Sequence, residues 1–206
     1  VEKLTELYTQ FELRRMLADL KAGNDKPEET ENDVAPAVEN VEVEYKNLLN
    51  ETEFADWFKQ LQAAELFAFD TETTSLDYMA AELVGFSFSF EAGKAVYIPV
   101  AHDYQGAPEQ LDRDWVLAQL KPVLEDPNKR KVGQNLKYDV NVLSHYDIDV
   151  QGIAFDTMLE SYCFNSVATR HNMDALAEKY LDHKTVHFEE IAGKGAKQLT
   201  FNQIDI

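Results

Sequence analysis

A continuous apolar run, Leu66-Phe67-Ala68-Phe69, ends on two carboxylates two residues apart, Asp70 and Glu72. No other feature constrains the fold as tightly. A strand apolar at successive positions is covered on both faces, so it belongs at the centre of a sheet. The acids then stand at the carboxyl edge of a central strand, where α/β proteins site their ligands. Residues two apart on a strand point to the same side, so both carboxylates face one point. At ~4 Å and an effective dielectric near 20, like charges repel by about 4 kcal/mol, and the pair is unfavourable unless protonated or bridged by a cation. Oxygen-only ligands suit hard ions such as Mg2+ or Mn2+. An isolated Asp-x-Glu is most often a solvated turn; the apolar strand ahead of this one changes the balance.

Around that strand, apolar spacing predicts an α/β chain with a partly antiparallel sheet. Phe54, Trp57, Phe58 and Leu61 mark an amphipathic helix with Thr52 as its cap, while Leu83 to Phe90 and Ala95 to Val100 continue a meander begun by Leu66 to Phe69. Val116, Leu117, Leu120 and Leu124 lie on a helix that Pro122 should shorten or bend. Val132-Gly133 reads as a short buried strand and Asn135 to Tyr146 as a helix. A Thr157/Glu160 capping box opens the next helix, and Met173 to Leu181 space another. Upstream, Leu4, Leu7, Tyr8, Phe11 and Leu17 give one amphipathic helix over the first twenty residues. A stretch rich in Glu and Asp, with Pro27, Pro36 and no aromatic residue, then reads as a flexible acidic linker. The expected segments are 1–22, the end of an upstream domain; 23–43, the linker; and 44–206, one domain.

The balance of charge decides between classes of partner. A net charge of −19 argues against a broad basic surface gripping duplex phosphates. Nucleic acid would have to be held through divalent cations at a carboxylate-rich site, or by aromatic side chains stacking on unpaired bases. Cys163 is the only cysteine, so neither an internal disulfide nor a thiolate zinc cage can be built. No apolar run approaches the ~20 residues of a membrane span and the first residues lack signal-peptide order, which sets the expectation of a cytoplasmic protein with no membrane partner.

Gly133-Gln134-Asn135-Leu136-Lys137-Tyr138-Asp139 is the second constellation: a glycine closing a strand, two side-chain amides, then a tyrosine and an acid in the first turn of a helix. Taken alone, Asp139 could simply favour the helix dipole. Together with Phe69-Asp70-Thr71-Glu72-Thr73, in this order and spacing, it resembles the 3′-5′ exonuclease domain of bacterial DNA polymerase I. The runs Gly152 to Tyr162 and Phe188 to Gly195 also look like that family. The resemblance covers roughly Tyr45 to Ile206, and the first twenty residues resemble the close of the 5′-nuclease domain that precedes it.

That resemblance implies a ribonuclease H-like exonuclease fold, a mixed central sheet flanked by helices. It also implies two divalent cations, Mg2+ foremost, with Mn2+ or Zn2+ as alternatives. Asp70 and Glu72 would hold the first ion with Asp70 shared between both, and Asp139 would orient the second through its bound water. Leu76 and Phe188 would wedge or stack on terminal bases, and Gln134, Asn135, Tyr138 and Arg170 would hold the strand. The implied partners are a single-stranded DNA 3′ end and a polymerase domain in the same parent chain. Without the family, Phe188 reads as core, Arg170 as a surface cation and Tyr138 as packing.

One departure stands out. The family's third motif, a tyrosine followed four residues later by a fourth carboxylate, should lie on a helix opening at Thr200-Phe201-Asn202-Gln203, and no Tyr-x-x-x-Asp occurs in the sequence. The chain therefore reads as an excised fragment of impaired activity. His145-Tyr146-Asp147-Ile148-Asp149 imitates a sister group's His-x-x-x-Asp, but His145 lies about 120° around the helix from Asp139 and turns away from the same ion. Gly193-Lys194-Gly195 lacks P-loop spacing and reads as a mobile connection, and Asp156 as a cap. Two rival functions remain: a scaffold domain without catalysis, and an exonuclease of the same carboxylate group that trims RNA.

Overall fold

A computed structural model of the chain describes residues 2–22, 43–167 and 170–206. The expected acidic linker, 23–43, lies outside them except for Val43. The chain divides into two units, Val1–Ala37 and Val38–Ile206. The first unit holds two helices where one was expected, α1 (Glu2–Gln10) and α2 (Arg14–Ala22). The break falls at Glu12, whose φ of 53° is left-handed and cannot continue a helix. An amphipathic repeat does not register such a local turn, because Leu13 resumes the apolar spacing directly after it.

The second unit is a six-stranded mixed sheet in the order β1-β4-β3-β2-β5-β6. Its strands are β1 (Glu44–Asn47), β2 (Leu66–Thr73), β3 (Leu83–Glu91), β4 (Lys94–Pro99), β5 (Arg130–Gly133) and β6 (Ile153–Asp156). β2, β3 and β4 form the expected antiparallel meander, β1 runs parallel to β4, and β2, β5 and β6 are mutually parallel in sequence across the sheet. The helices of this unit are α3 (Glu51–Ala63), α4 (Arg113–Leu124), α5 (Leu136–Ser144), α6 (Thr157–Phe164), α7 (Met173–Leu181) and α8 (Phe188–Ala192). Its core is aromatic: Phe67, Phe69, Phe86 and Phe88 on β2 and β3 share one face and meet Trp57 of α3, with Phe88 5.3 Å from Trp57 and 5.9 Å from Phe67 between ring centroids.

β2 does not stop at the acids. It continues to Thr73, pairing Asp70 with Ser87 and Glu72 with Gly85 on β3, whereas on its other side β5 pairs only with Leu66, Phe67 and Ala68. The acids therefore stand on strand backbone past the end of β5, and the chain leaving β5 turns into α5 beside them. Gly133 permits that close turn: a Cβ there would lie 2.4 Å from Leu136 Cδ2 and 3.0 Å from the Phe69 carbonyl oxygen. A larger residue there would force the Leu136 side chain to move and crowd the Phe69 carbonyl.

The helix ends depart from the expected caps where a stronger acceptor stands nearby. α3 is capped by Asn50, whose side chain accepts from Glu53 N at 3.0 Å, rather than by Thr52. The Thr157/Glu160 box does not form; Asp156 caps α6, accepting from Met158 N and Leu159 N, and Thr157 Oγ1 donates to the Gly133 carbonyl and to Gln134. Pro122 lies within α4, which runs two residues past it to Leu124 rather than ending there, and gives up the N–H that would otherwise reach the Ala118 carbonyl. The Thr200/Gln203 capping box does form, on a 3-10 turn at Phe201–Gln203.

Asp156 also receives Asn135 N at 3.2 Å and Leu136 N at 2.8 Å, so one carboxylate caps both α6 and α5. A lost N-cap costs about 1 kcal/mol. Asp156→Ala is accordingly expected to lower stability by about 2 kcal/mol in denaturant unfolding, while Asp156→Asn retains part of that.

Candidate active site

Asp70 and Glu72 project from one face of β2, and Thr71 between them from the other, on the apolar side of Phe67 and Phe69. A hydroxyl at that period-2 position needs a partner, and Asp139 supplies it: Asp139 Oδ1 accepts from Thr71 N at 2.9 Å and from Thr71 Oγ1 at 2.6 Å. Asp139, only 1% exposed, lies in the first turn of α5. The two distant acidic segments are thus joined through Thr71, a residue that sequence reasoning passed over. Its signal was present as the first polar residue in the alternating series Phe67, Phe69, Thr71, Thr73.

Burial raises the proton affinity of all three carboxyls. Asp70 is pushed up to about 8, first by desolvation and then by the charges of Asp139 and Glu72. Glu72 is pushed up to about 7 by desolvation and then by Asp139. Desolvation raises Asp139 as well, against the Thr71 hydrogen bonds that favour its ionised form. Among the described residues, none of the ion pairs reaches any of the three. The cluster has the donor chemistry for a hard divalent cation: oxygen ligands, mutual repulsion and, among the described residues, no cationic side chain paired with it. Among the described residues, however, no three His, Cys, Asp or Glu side chains are already drawn together as a metal cage. The Thr71 bonds take one oxygen of Asp139, in keeping with contact through water rather than direct ligation.

The other residues that the sequence singles out differ in how they are held. Leu76 is 96% exposed on the turn after β2, which is not the fate of a core anchor. That turn is pinned by Tyr138, whose hydroxyl donates to the Ser75 carbonyl and is hydrogen-bonded to Thr73 Oγ1. Gln134 is used at both ends, its amide nitrogen donating to His171 O at 2.7 Å and its oxygen accepting from Thr157, whereas Asn135 is exposed, with φ 59° and no capping bond from its side chain. Arg170 is exposed and joins none of the ion pairs among the described residues. Phe188 opens α8, 41% exposed, and stacks on Phe201 at 6.2 Å with the rings 10° apart. His145 and Asp149 are exposed beyond the far end of α5 from Asp139.

Comparison with known proteins follows the same outline. A family model described as 3′-5′ exonuclease matches residues 45–204. DNA polymerase I of Pseudomonas aeruginosa is 54% identical over 207 residues, covering 100% of this chain and 22% of the polymerase. The chain thus spans about a fifth of that relative's length. RNase D of Escherichia coli, described as an exoribonuclease involved in structured RNA processing, superposes with a TM-score of 0.55 at 18% identity, over 78% of this chain and 40% of its own. Brucella melitensis NrnC with bound Mg2+ superposes with a TM-score of 0.51 at 18% identity, over 71% of this chain and 65% of its own. Both structures share the mixed α/β, ribonuclease H-like exonuclease fold; at such identity the likeness concerns fold alone.

Proposed function

We propose, because this chain belongs to the 3′-5′ exonuclease family of DNA polymerase I, that it removes nucleotides from unpaired DNA 3′ ends at the cluster of Asp70, Glu72 and Asp139. The observation that carries the reading is a pair of half-buried carboxyls on one face of β2, raised to about 8 and about 7, beside the buried Asp139, with no ion-pair partner among the described residues. Asp70 and Glu72 would hold the first of two divalent cations, and Asp139, fixed by Thr71, would orient the second through water. Bound there, such ions supply hydroxide from water near neutral pH and stabilise a leaving 3′ oxygen.

The chain's own residues do the rest. Leu76 stands clear of the fold on a turn that Tyr138 fixes, placed to part a terminal base from its neighbour. Phe188, backed by Phe201, offers a ring face for stacking. Asn135 and Arg170 are free to meet the strand, and Gln134 and Tyr138 shape the surface it crosses. Splaying bases onto Leu76 and Phe188 costs a paired terminus its pairing and stacking, so a mismatched end is the better substrate. That preference is proofreading, in service of a polymerase domain in the same parent chain.

Base–aromatic stacking is worth about 1–3 kcal/mol per base. In a polymerase chain carrying this domain, Phe188→Ala is therefore expected to raise KM for a single-stranded 3′ end by roughly tenfold or more, with the divalent-ion requirement unchanged. Equal cleavage of RNA and DNA 3′ ends by the same chain would contradict a DNA-directed role and favour the RNA-trimming alternative.

A further inference from the structure

Tyr97 lies on β4, on the same face of the sheet as Asp70, since Ser87 pairs with both. Its side chain leans one row along β3 and covers Gly85: a Cβ at that glycine would meet Tyr97 Oη at 2.2 Å. Gly85 is the direct partner of Glu72, and the Cβ positions of such partners stand about 5 Å apart on one face. The tyrosine hydroxyl thus fills the space beside the Glu72 side chain that a missing side chain leaves open.

The hydroxyl is held from behind by His102, 6% exposed. His102 Nδ1 stands 3.0 Å from the Ile204 carbonyl, which can only accept, so Nδ1 carries the proton. Nε2, 2.7 Å from Tyr97 Oη, is then the acceptor. Burial lowers the proton affinity of the imidazole, in keeping with this neutral form. The backbone of His102 is itself fixed, donating from N to Gln110 Oε1 at 2.8 Å and accepting from Gln110 Nε2 at 2.8 Å. With its proton committed to His102, the Tyr97 oxygen keeps its lone pairs for the side of the acids. Burial and the charge of Glu72 both hold the phenol protonated.

We infer that Tyr97, oriented by His102 and given room by Gly85, is a positioning residue of the acid site: an uncharged acceptor beside Glu72 that holds the hydrogens of water accompanying a divalent ion. The inference rests on the proposed function. It adds a group that carries no charge, so it does not add to the repulsion among the carboxylates. Outer partners of this kind typically set metal affinity by about 10–100-fold.

The test is calorimetric titration of Mn2+ alone into the full 206-residue chain, with thermal unfolding in chelator as the control. Tyr97→Phe is expected to weaken Mn2+ binding by about 10–100-fold and to lower Tm in chelator by only about 2–4 °C, the effect of one buried hydrogen bond. Gly85→Ala should weaken binding similarly by displacing the hydroxyl. His102→Gln, which keeps a polar atom near the Nε2 position, should bind more tightly than His102→Leu. Unchanged Mn2+ binding in Tyr97→Phe overturns the inference while leaving the acid site standing, and a fall in Tm well beyond the loss of one hydrogen bond assigns the residue to structure alone. His102→Gln binding as weakly as His102→Leu overturns the part given to His102. An unsubstituted 206-residue chain that takes up no Mn2+ overturns the function proposed for the acids, and this inference with it.

Discussion

Asp70→Ala, placed in a polymerase chain that carries this domain, is expected to lower 3′-end excision on the order of a thousandfold while nucleotide addition by the same chain is unchanged. Asp70 stands nearest the middle of the cluster's electrostatics, raised by both Asp139 and Glu72. Removing it takes away a ligand shared by both proposed ions. Stabilisation by bound cations is worth several kcal/mol in the transition state, and about 1.4 kcal/mol corresponds to each factor of ten in rate. Packing should survive, because the side chain borders the cluster rather than the aromatic face of β2. Excision is followed on a labelled single-stranded 3′ end, and nucleotide addition serves as the internal control. Retention of excision within a few-fold would remove Asp70 from the chemistry.

The second large effect concerns the chain without metal. Asp70 is raised from 3.8 to about 8 and Glu72 from 4.5 to about 7, so the folded state binds these protons more tightly than the unfolded state does. Stability falls with pH wherever the native state holds the extra protons. The sign is therefore a loss of stability as pH rises, beginning near the unfolded carboxylate values and complete above about 8. At 1.36 kcal/mol per unit, the shift of Asp70 alone corresponds to roughly 6 kcal/mol. Domains are stable by only about 5–15 kcal/mol. In chelator, Tm is expected to drop by roughly 10 °C or more between pH 5 and pH 8, Mn2+ at pH 8 should restore most of it, and Asp70→Asn should flatten the slope and abolish the restoration. Differential scanning calorimetry at the two pH values reads all three. A Tm that rises from pH 5 to pH 8 in chelator would show that the carboxyls are not raised.

Much of this site was legible in the sequence because its physics is local. Leu66 to Phe69 is apolar at successive positions, which identifies a central strand, and the two-residue spacing of Asp70 and Glu72 fixes their common face. The edges of the sheet were not legible. β1 is exposed at every position and so shows no alternation, and β6 is a four-residue strand read only as part of a longer run. Asn50 displaced Thr52 as the cap of α3 because a stronger acceptor lay two residues earlier, while Asp156, already read as a cap, holds α6 in place of the Thr157/Glu160 box. Tyr138, expected to hold the DNA strand, also donates its hydroxyl to the turn that carries Leu76. Its role is set by Ser75 and Thr73, more than 60 residues away. Tyr97 and His102 gave no sequence signal at all, since their meaning depends on which strand β4 joins and on a missing side chain at Gly85.

The proposed chemistry depends on Asp70 and Glu72 together holding a divalent ion. Anomalous diffraction from crystals of the chain grown with Mn2+ at pH 8 locates such an ion directly. A manganese peak is expected about 2 Å from carboxylate oxygens of both Asp70 and Glu72, absent in Asp70→Asn. Manganese bound only at other acids of this −19 chain, with both carboxylates bare, would contradict it.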